Sequence, residues 1–236
     1  RYMTMDMEGL RSGSTEVTFD SQVGMGKTYG MAPTKMTMDM HMFGLMHAVS
    51  DKLTLMGMAN YIENDMDMKM NMMGMMTMLG STRNSGLGDL KIAGLYDLKT
   101  WDHDRRLHLH LGLSLPTGSI DEKDSSGNVL GYPMQLGSGT WDLLPGITYL
   151  GQTGDLSYGA QAYGVVRIGD NDRNYTLGES FSATIWGARK MSDSLSLSIR
   201  LKSVHSGNID GEDADIVARR GMRVRRPNMP QEGGVI

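Results

Sequence analysis

The stretch Leu107-His108-Leu109-His110-Leu111-Gly112-Leu113-Ser114-Leu115 has leucine at every odd position and a small or polar residue at every even position. A β-strand points successive side chains to opposite faces, so this stretch has one apolar face and one polar face. The same two-residue period recurs at 36–42 and at 195–201. Its repetition along a glycine-rich chain predicts an all-β fold, an antiparallel up-and-down transmembrane β-barrel.

Composition favours the same class of protein. The chain has 236 residues, 39% of them hydrophobic, with 31 glycines, no cysteine and a net charge of −4. No apolar run approaches the roughly 18 residues that a membrane helix needs, whereas barrel strands are only half apolar. The absence of cysteine excludes a zinc-thiolate site, and the charge gives no indication of a nucleic-acid partner. We therefore expect the lipid bilayer and a small-molecule substrate as partners.

A soluble β-sandwich is the alternative fold, since its strands also alternate. Sandwich strands average about 5–6 residues, whereas several alternating segments here run past about ten. This difference in length favours the membrane barrel.

Alternation and turn-forming residues together predict about nine strands. The predicted strands cover approximately 1–8, 35–49, 52–70, 88–100, 105–116, 139–151, 155–169, 175–191 and 194–206. The long connections between them cover approximately 9–34, 71–87, 117–138 and 207 onward. Bacterial barrels have short periplasmic turns and longer external loops, so we expect the N-terminus on the periplasmic side.

Both ends of the sequence suggest a longer protein. Single-chain bacterial barrels have an even number of strands, and an open sheet edge cannot face lipid. We therefore expect residues 1–210 to form an incomplete barrel domain, cut from an intact one of about ten to twelve strands or more. Residues 211–236 are expected to be an irregular or disordered C-terminal segment.

Several motifs resemble one outer-membrane transporter-like family, which is named after the meta-pathway of phenol degradation. The segments that carry the resemblance are 2–9, 36–44, 51–56, Gly86-Leu87-Gly88-Asp89-Leu90, 113–120 with Leu115-Pro116-Thr117-Gly118, and 137–146 with Gly137-Ser138-Gly139-Thr140. The resemblance implies a β-barrel in the outer membrane of a Gram-negative bacterium and a role in passing small molecules. It implies no catalytic residues, and it ends at about residue 213.

Polar residues on the presumed inner faces of the strands are the candidate pore lining. They are Asp6, Asp39, His41, His108, His110, Arg167 and Arg200. His108 and His110 point the same way on one strand, a spacing that suits either a metal site or side chains solvated by lumen water.

Methionine is the outlier in composition, with 24 residues. One set of methionines lies on the strand face that we assign to lipid, where methionine is an adaptable apolar residue. This set consists of Met3, Met5, Met7 and the methionines of 36–42. The run from Met66 to Met78 continues into a predicted wet loop, where thioethers could collect a soft ion such as Cu(I). The candidate metal ligands are Met72, Met73, Met75, Met76 and Met78; the alternative is a loop folded onto lipid or into the lumen.

Three classes of function follow. The leading one is a transporter or channel for small molecules, with aromatic or other hydrophobic compounds among the possible substrates and no cofactor. The second is a methionine-rich outer-membrane protein that binds or handles copper. The third, a barrel enzyme, is disfavoured because no coherent Ser/His/Asp constellation is present.

Overall fold

The computed structural model describes residues 1–8, 10–12, 15–17, 31–72, 76–101 and 104–219, with side chains described for 1–8, 33–69, 80–101 and 104–216. The strands are β1 Tyr2–Glu8, β2 Leu10–Ser12, β3 Thr15–Val17, β4 Met31–Ala48, β5 Leu53–Met72, β6 Met76–Leu87, β7 Leu90–Trp101, β8 Arg105–Leu115, β9 Trp141–Thr153, β10 Leu156–Ile168, β11 Tyr175–Thr176, β12 Ser180–Ser192, β13 Leu195–Ser206 and β14 Asp210–Gly211. A 3-10 turn covers Tyr132–Met134 and helix α1 covers Ala214–Arg219. None of the helices in these ranges has the length and apolarity needed to cross a membrane.

Ten strands form one antiparallel sheet in the order β1-β4-β5-β7-β8-β9-β10-β12-β13, and β6 pairs with the second half of β5. The sheet curls into a half-barrel. Its lower end carries the short turns at 49–52, 154–155 and 193–194, and its upper end carries the long connections. The predicted antiparallel up-and-down fold is confirmed, and the ends of β8, β9, β10 and β13 lie within two residues of the predicted ones.

Strand β6 lies where a long loop was predicted at 71–87, so the loop prediction is wrong. Residues 80–86 contain glycine, serine, threonine, arginine and asparagine and show no apolar alternation of their own. They form a strand because β5 provides partners: Asn84 lies opposite Asn64, and Arg83 Nε donates to Asp65 Oδ2 at 2.7 Å. Such cross-strand pairs stabilise a strand that its own composition does not favour. The predicted strand 175–191 is also divided, because β11 pairs with β14 rather than continuing β12.

The cross-strand register defines the two faces of the sheet. Met46 lies opposite Met56, Met56 opposite Ala93, Ala93 opposite Gly112, and Gly112 opposite Leu144. Residues on this side form the inner face, and their sequence neighbours form the outer face, because side chains alternate along each strand.

The segment 116–140, called the plug below, folds back over the inner face. Its Leu130 and Met134 are almost fully buried and pack against Met36 of β4 and Met66 of β5. Burial of apolar surface contributes about 25 cal/mol per Å², so these contacts hold the plug against the sheet. The buried core of the protein therefore lies between the plug and the inner face.

The outer face from β7 to β13 is apolar and exposed. The side chains of Ile92, Leu111, Ile185, Leu197 and Ile199 are each more than half exposed. Near the lower end, the Trp101, Tyr149 and Tyr158 rings follow one another with centroids 6.4 and 6.2 Å apart. An apolar band bordered by aromatic residues is typical of a barrel surface that faces lipid.

Candidate functional site

Polar side chains line the inner face of the C-terminal wall, by which we mean β7, β8, β9, β10, β12 and β13. His108 lies opposite Thr148, and Arg200 lies opposite Trp186. The register places His110, Arg167 and Lys202 on the same face. The structure thus brings four predicted pore-lining residues, His108, His110, Arg167 and Arg200, to one face, while their role in lining a pathway stays a prediction.

Methionines line the inner face of the N-terminal wall, by which we mean β1, β4, β5 and β6. The opposed pairs are Met3 with Met40, Met5 with Met38, Met7 with Met36, Met36 with Met66, and Met46 with Met56. The interpretation that Met3, Met5, Met7 and the methionines of 36–42 face lipid is wrong, because the plug packs on this side. Alternation separates two faces but does not say which of them lipid covers.

The structure places three predicted pore-lining residues, Asp6, Asp39 and His41, on the outer face of the sheet. His108 and Arg200 lie on the inner face, so the prediction for the first three is corrected. Asp6 accepts a hydrogen bond from Thr37 Oγ1 at 2.7 Å, and Asp39 accepts one from the Tyr2 hydroxyl at 2.5 Å. Other charges share this upper outer surface, as in the pairs Glu8–Lys35 and Asp65–Arg83. This surface is too polar for lipid, so this part of the wall projects above the apolar band.

Asp89, at the junction of the two walls, holds both ends of the plug. Its Oδ1 accepts the Gly118 N–H at 2.9 Å, and its Oδ2 accepts the N–H and the hydroxyl of Ser138, each at 2.8 Å. The carboxylate is 9% exposed. Each buried donor left without its acceptor would cost about 1–3 kcal/mol, so Asp89 is a strong clamp for the plug.

Two glycines let the ends of the plug meet at this clamp. A Cβ on Gly118 would lie 2.7 Å from the Gly137 Cα, and a Cβ on Gly137 would lie 2.4 Å from the Gly118 oxygen. Real Cβ atoms do not approach so closely, so any side chain at either position would push the two plug ends apart. The three motifs around Asp89, Gly118 and Ser138, which carry the family resemblance, thus form one structural unit.

A buried ion pair lies beside the clamp. The Arg167 guanidinium contacts the Asp142 carboxylate, and the two side chains are 16% and 4% exposed. Asp142 Oδ1 also accepts the Thr140 hydroxyl at 2.7 Å. Arg167 therefore has a structural partner at the upper end of the inner face. Removing either charge would leave the other buried and unpaired, which costs several kcal/mol.

Arg173 joins the plug to the cap, which consists of residues 169–179 and 207–219. Its guanidinium contacts Asp213, and it donates to Asp121 Oδ1 and to Asp215 Oδ2 at 2.7 Å each. The hydrogen bonds that Arg173 donates to these carboxylates, Asp213 first, raise the pKa of Arg173. Burial alone would raise the pKa of Asp213, but the guanidinium and the backbone N–H groups outweigh it, and the pKa is lowered. The ion pairs therefore persist at neutral pH.

Two tyrosines complete the joint between plug and cap. The Tyr132 and Tyr175 ring centroids are 4.6 Å apart, and the Tyr132 hydroxyl accepts the Asp213 N–H at 3.1 Å. Burial raises the pKa of Tyr175 to about 12, so this residue stays neutral. The loops at the upper end thus form one connected closure over the inner face.

The predicted metal ligands Met72, Met73, Met75, Met76 and Met78 lie outside the described side chains, so the Cu(I) site stays a prediction. Its premise changes, because only residues 73–75 lie between β5 and β6 and no long loop is present there. Among the described residues, no group of three or more His, Asp or Glu side chains could hold a metal ion.

Sequence reasoning missed Asp89, Ser138 and Arg173 as functional residues. Asp89 and Ser138 stand in motifs that support the resemblance; Ser138 lies between Gly137 and Gly139, and Asp89 follows Gly88. A polar residue next to glycine signals a tight backbone contact, which could have indicated the clamp. Arg173 has no such local signal, because its partners are about 40 to 50 residues away in the chain.

Comparison with known proteins supports this description of the fold. No curated protein sequence matches the chain. The crystal structure of an outer membrane channel from Pseudomonas putida F1 matches with a TM-score of 0.60 and 18% sequence identity, over 91% of this chain and 73% of that one. At this identity the match shows a shared fold.

The sequence profile of one family matches residues 17–216, which cover most of the chain. This match confirms the resemblance drawn from the motifs at 86–90, 113–120 and 137–146. The chain belongs to the family described as "Putative MetA-pathway of phenol degradation".

Proposed function

We propose that this protein is an outer-membrane channel that passes small molecules and has no enzymatic role. The observation that carries the proposal is the distribution of polarity across the C-terminal wall. Its outer face is apolar and exposed, whereas its inner face carries His108, Lys202 and other polar side chains. A lipid-facing band around a polar interior is the arrangement of a water-filled barrel.

The similarity of fold to an outer membrane channel supports the same function and the same localisation. The predicted outer membrane of a Gram-negative bacterium is also the place where the exposed apolar band would be covered by lipid. We expect the bilayer to be the main partner of the outer face, and a small-molecule substrate to be the partner of the inner face.

The plug gives the channel a closed state. It covers the upper inner face, and Asp89 and Arg173 hold it through short hydrogen bonds to plug and cap residues. Movement of the plug would uncover the methionines of the N-terminal wall, which pack against it when it is closed.

Reconstitution of the full chain in planar lipid bilayers tests the channel function. We expect discrete conductance steps, and we expect Asp89→Ala to lengthen the open state because the plug loses its clamp. A protein that inserts into the bilayer but never conducts, with or without Asp89→Ala, would contradict the proposal.

A further inference from the structure

The inner face divides into a neutral part and a cationic part. On the strands of the N-terminal wall, no inner-face position with a described side chain holds a charged residue. On the C-terminal wall the register places five basic side chains on that face: Lys91, Arg106, Arg167, Arg200 and Lys202. A sixth, Lys190 near the lower turn, is paired with Asp193.

Carboxylates do not balance these cations. The strands of the C-terminal wall place only Asp97 and Asp142 on the inner face, within the described part of the chain. Asp142 is paired with Arg167, and Asp97 accepts a hydrogen bond from the Thr100 hydroxyl. No ion pair involves Arg200 or Lys202 among the described side chains. The wall therefore attracts anions into the half-barrel.

An aromatic residue lies beside two of these cations. The Trp186 ring packs against Gly159 so closely that a Cβ atom on residue 159 would lie 2.3 Å from the ring. The Arg200 guanidinium lies 5.7 Å from the ring centroid, as in a cation–π contact. Lys202, two residues along the same strand, is on the same face at a distance of about 7 Å along the strand.

We propose that Trp186, Arg200 and Lys202 form a subsite for small aromatic carboxylates, so that the channel selects these anions over cations and over neutral aromatic compounds. This inference rests on the proposed channel function. Arg200 offers the paired N–H groups that match a carboxylate, and Lys202 adds a second charge. The aromatic ring of the solute would pack against the Trp186 ring, since aromatic pairs attract each other beyond the area that they bury.

The experiment measures ion selectivity and block of the full chain in planar bilayers. Under a KCl gradient, we expect the reversal potential to show that chloride permeates better than potassium. Benzoate should block the chloride current in the millimolar range, and benzyl alcohol should not. In the double variant Arg200→Gln with Lys202→Gln, the benzoate concentration for half block should rise about tenfold or more, because a charge-assisted contact is lost.

Arg189→Gln is the control, since it removes one positive charge from the outer face of β12, the strand that carries Trp186. This variant should keep the selectivity and the block of the unaltered protein. Cation selectivity, equal block by benzyl alcohol, or unchanged benzoate block in the double variant would overturn the inference. Block by inorganic phosphate as strong as that by benzoate would also overturn it, because the aromatic ring would then have no part.

A second measurement separates this inference from the channel function. Binding of benzoate to the detergent-solubilised protein is followed by tryptophan fluorescence, with Trp186→Phe to identify the signal. If the protein does not conduct but binds benzoate in an Arg200-dependent way, the channel function fails and the subsite stands. If it conducts and shows no such binding, the subsite fails alone.

Discussion

The upper part of the N-terminal wall and the C-terminal wall have the same strand geometry and the same alternation, but they place apolar side chains on opposite faces. In the C-terminal wall, Leu111 and Ile199 are exposed on the outer face and cations lie inside. In the upper N-terminal wall, Met36 and Met66 lie inside and acidic residues such as Asp39 lie outside. The apolar face of a strand therefore follows what covers it, which is lipid in one wall and the plug in the other.

This difference shows how far membrane contact extends around the sheet. Strand β5 has 20 residues, about twice the 9–11 that a tilted strand needs to cross a bilayer. Its first residues share the apolar outer band with β7, as Leu55 and Ile92 show, while its second half has Glu63, Asp65 and Asp67 on that face. The inversion of polarity along one strand marks the upper limit of the lipid.

The largest effect on stability should come from a positive charge placed in the apolar band of the outer face, compared with one placed on its polar upper part. Leu111→Arg puts a cation in the apolar band and should lower the free energy of unfolding by about 2–4 kcal/mol. Thr37→Arg, on the outer face of the projecting part, removes an exposed hydrogen bond to Asp6 but places a cation beside that carboxylate, so it should change this free energy by less than about 1 kcal/mol. Urea unfolding in phospholipid vesicles measures both. Equal losses of stability at the two positions would show that the two parts of the outer face lie in the same environment.

The next effect concerns Asp89, which joins the two walls through the plug. Asp89→Ala leaves buried N–H donors of Gly118 and Ser138 without an acceptor, and we expect a loss of about 2–3 kcal/mol in the stability of the closed plug. Limited proteolysis at the exposed residues 125–128 should become much faster. Asp193→Ala is the control, because it removes a carboxylate from an exposed ion pair that contributes little. If Asp89→Ala resisted proteolysis as well as the unaltered protein, the apolar contacts alone would be sufficient to hold the plug closed.

A smaller effect is expected from pH at the joint of plug and cap. The pKa of Asp213 is lower in the folded protein than its ordinary value of 3.8, so its ionised form stabilises the cap above that value. This stability is lost as the pH falls below 3.8 through the lowered pKa, when the carboxylate is protonated. The protection of residues 169–179 from hydrogen exchange, measured relative to the intrinsic exchange rate at each pH, should therefore fall at low pH. Arg173→Gln should give fast exchange at neutral pH and remove most of this dependence.

The smallest effect on stability is expected from shape-conserving changes to the methionines on the inner face of the N-terminal wall. Met36→Leu keeps an apolar side chain of similar volume and should cost less than about 1.5 kcal/mol. Met36→Gln buries an amide that has no partner there and should cost more. Thermal or urea unfolding compares the two variants. Similar losses would mean that Met36 faces water rather than the plug.

The strands of the C-terminal wall were predictable because their pattern is local. Strands β8, β9, β10 and β13 alternate over about eleven to thirteen positions and adjoin a short turn, so their ends lie within two residues of the predicted ones, whereas β12 begins five residues after its predicted start at 175. Within each strand the period also predicts that His108 shares a face with His110, and that Arg200 shares a face with Lys202.

The rest depended on contacts that the sequence does not display. Strand β6 exists through pairing with β5, as Asn84 and Arg83 show, and its own residues favour a loop. On β1 and β4 the sequence pattern predicts Asp6, Asp39 and His41 in the lumen, because methionine is an apolar residue that suits lipid and the sequence has no local signal for the plug. The plug is fixed by Asp89 and Arg173 across long distances in sequence, and no periodic signal reports such contacts.

The projecting part of β4, β5 and β6 gives the protein a surface that reagents can reach from one side only. This chain holds no cysteine, so a single Ser81→Cys on that surface would be its only thiol. A maleimide that does not cross membranes should label this thiol on intact cells, whereas a Thr153→Cys at the opposite end should require permeabilised cells. Because these three strands extend beyond the apolar band, the labelling pattern would report the orientation of the protein in the membrane.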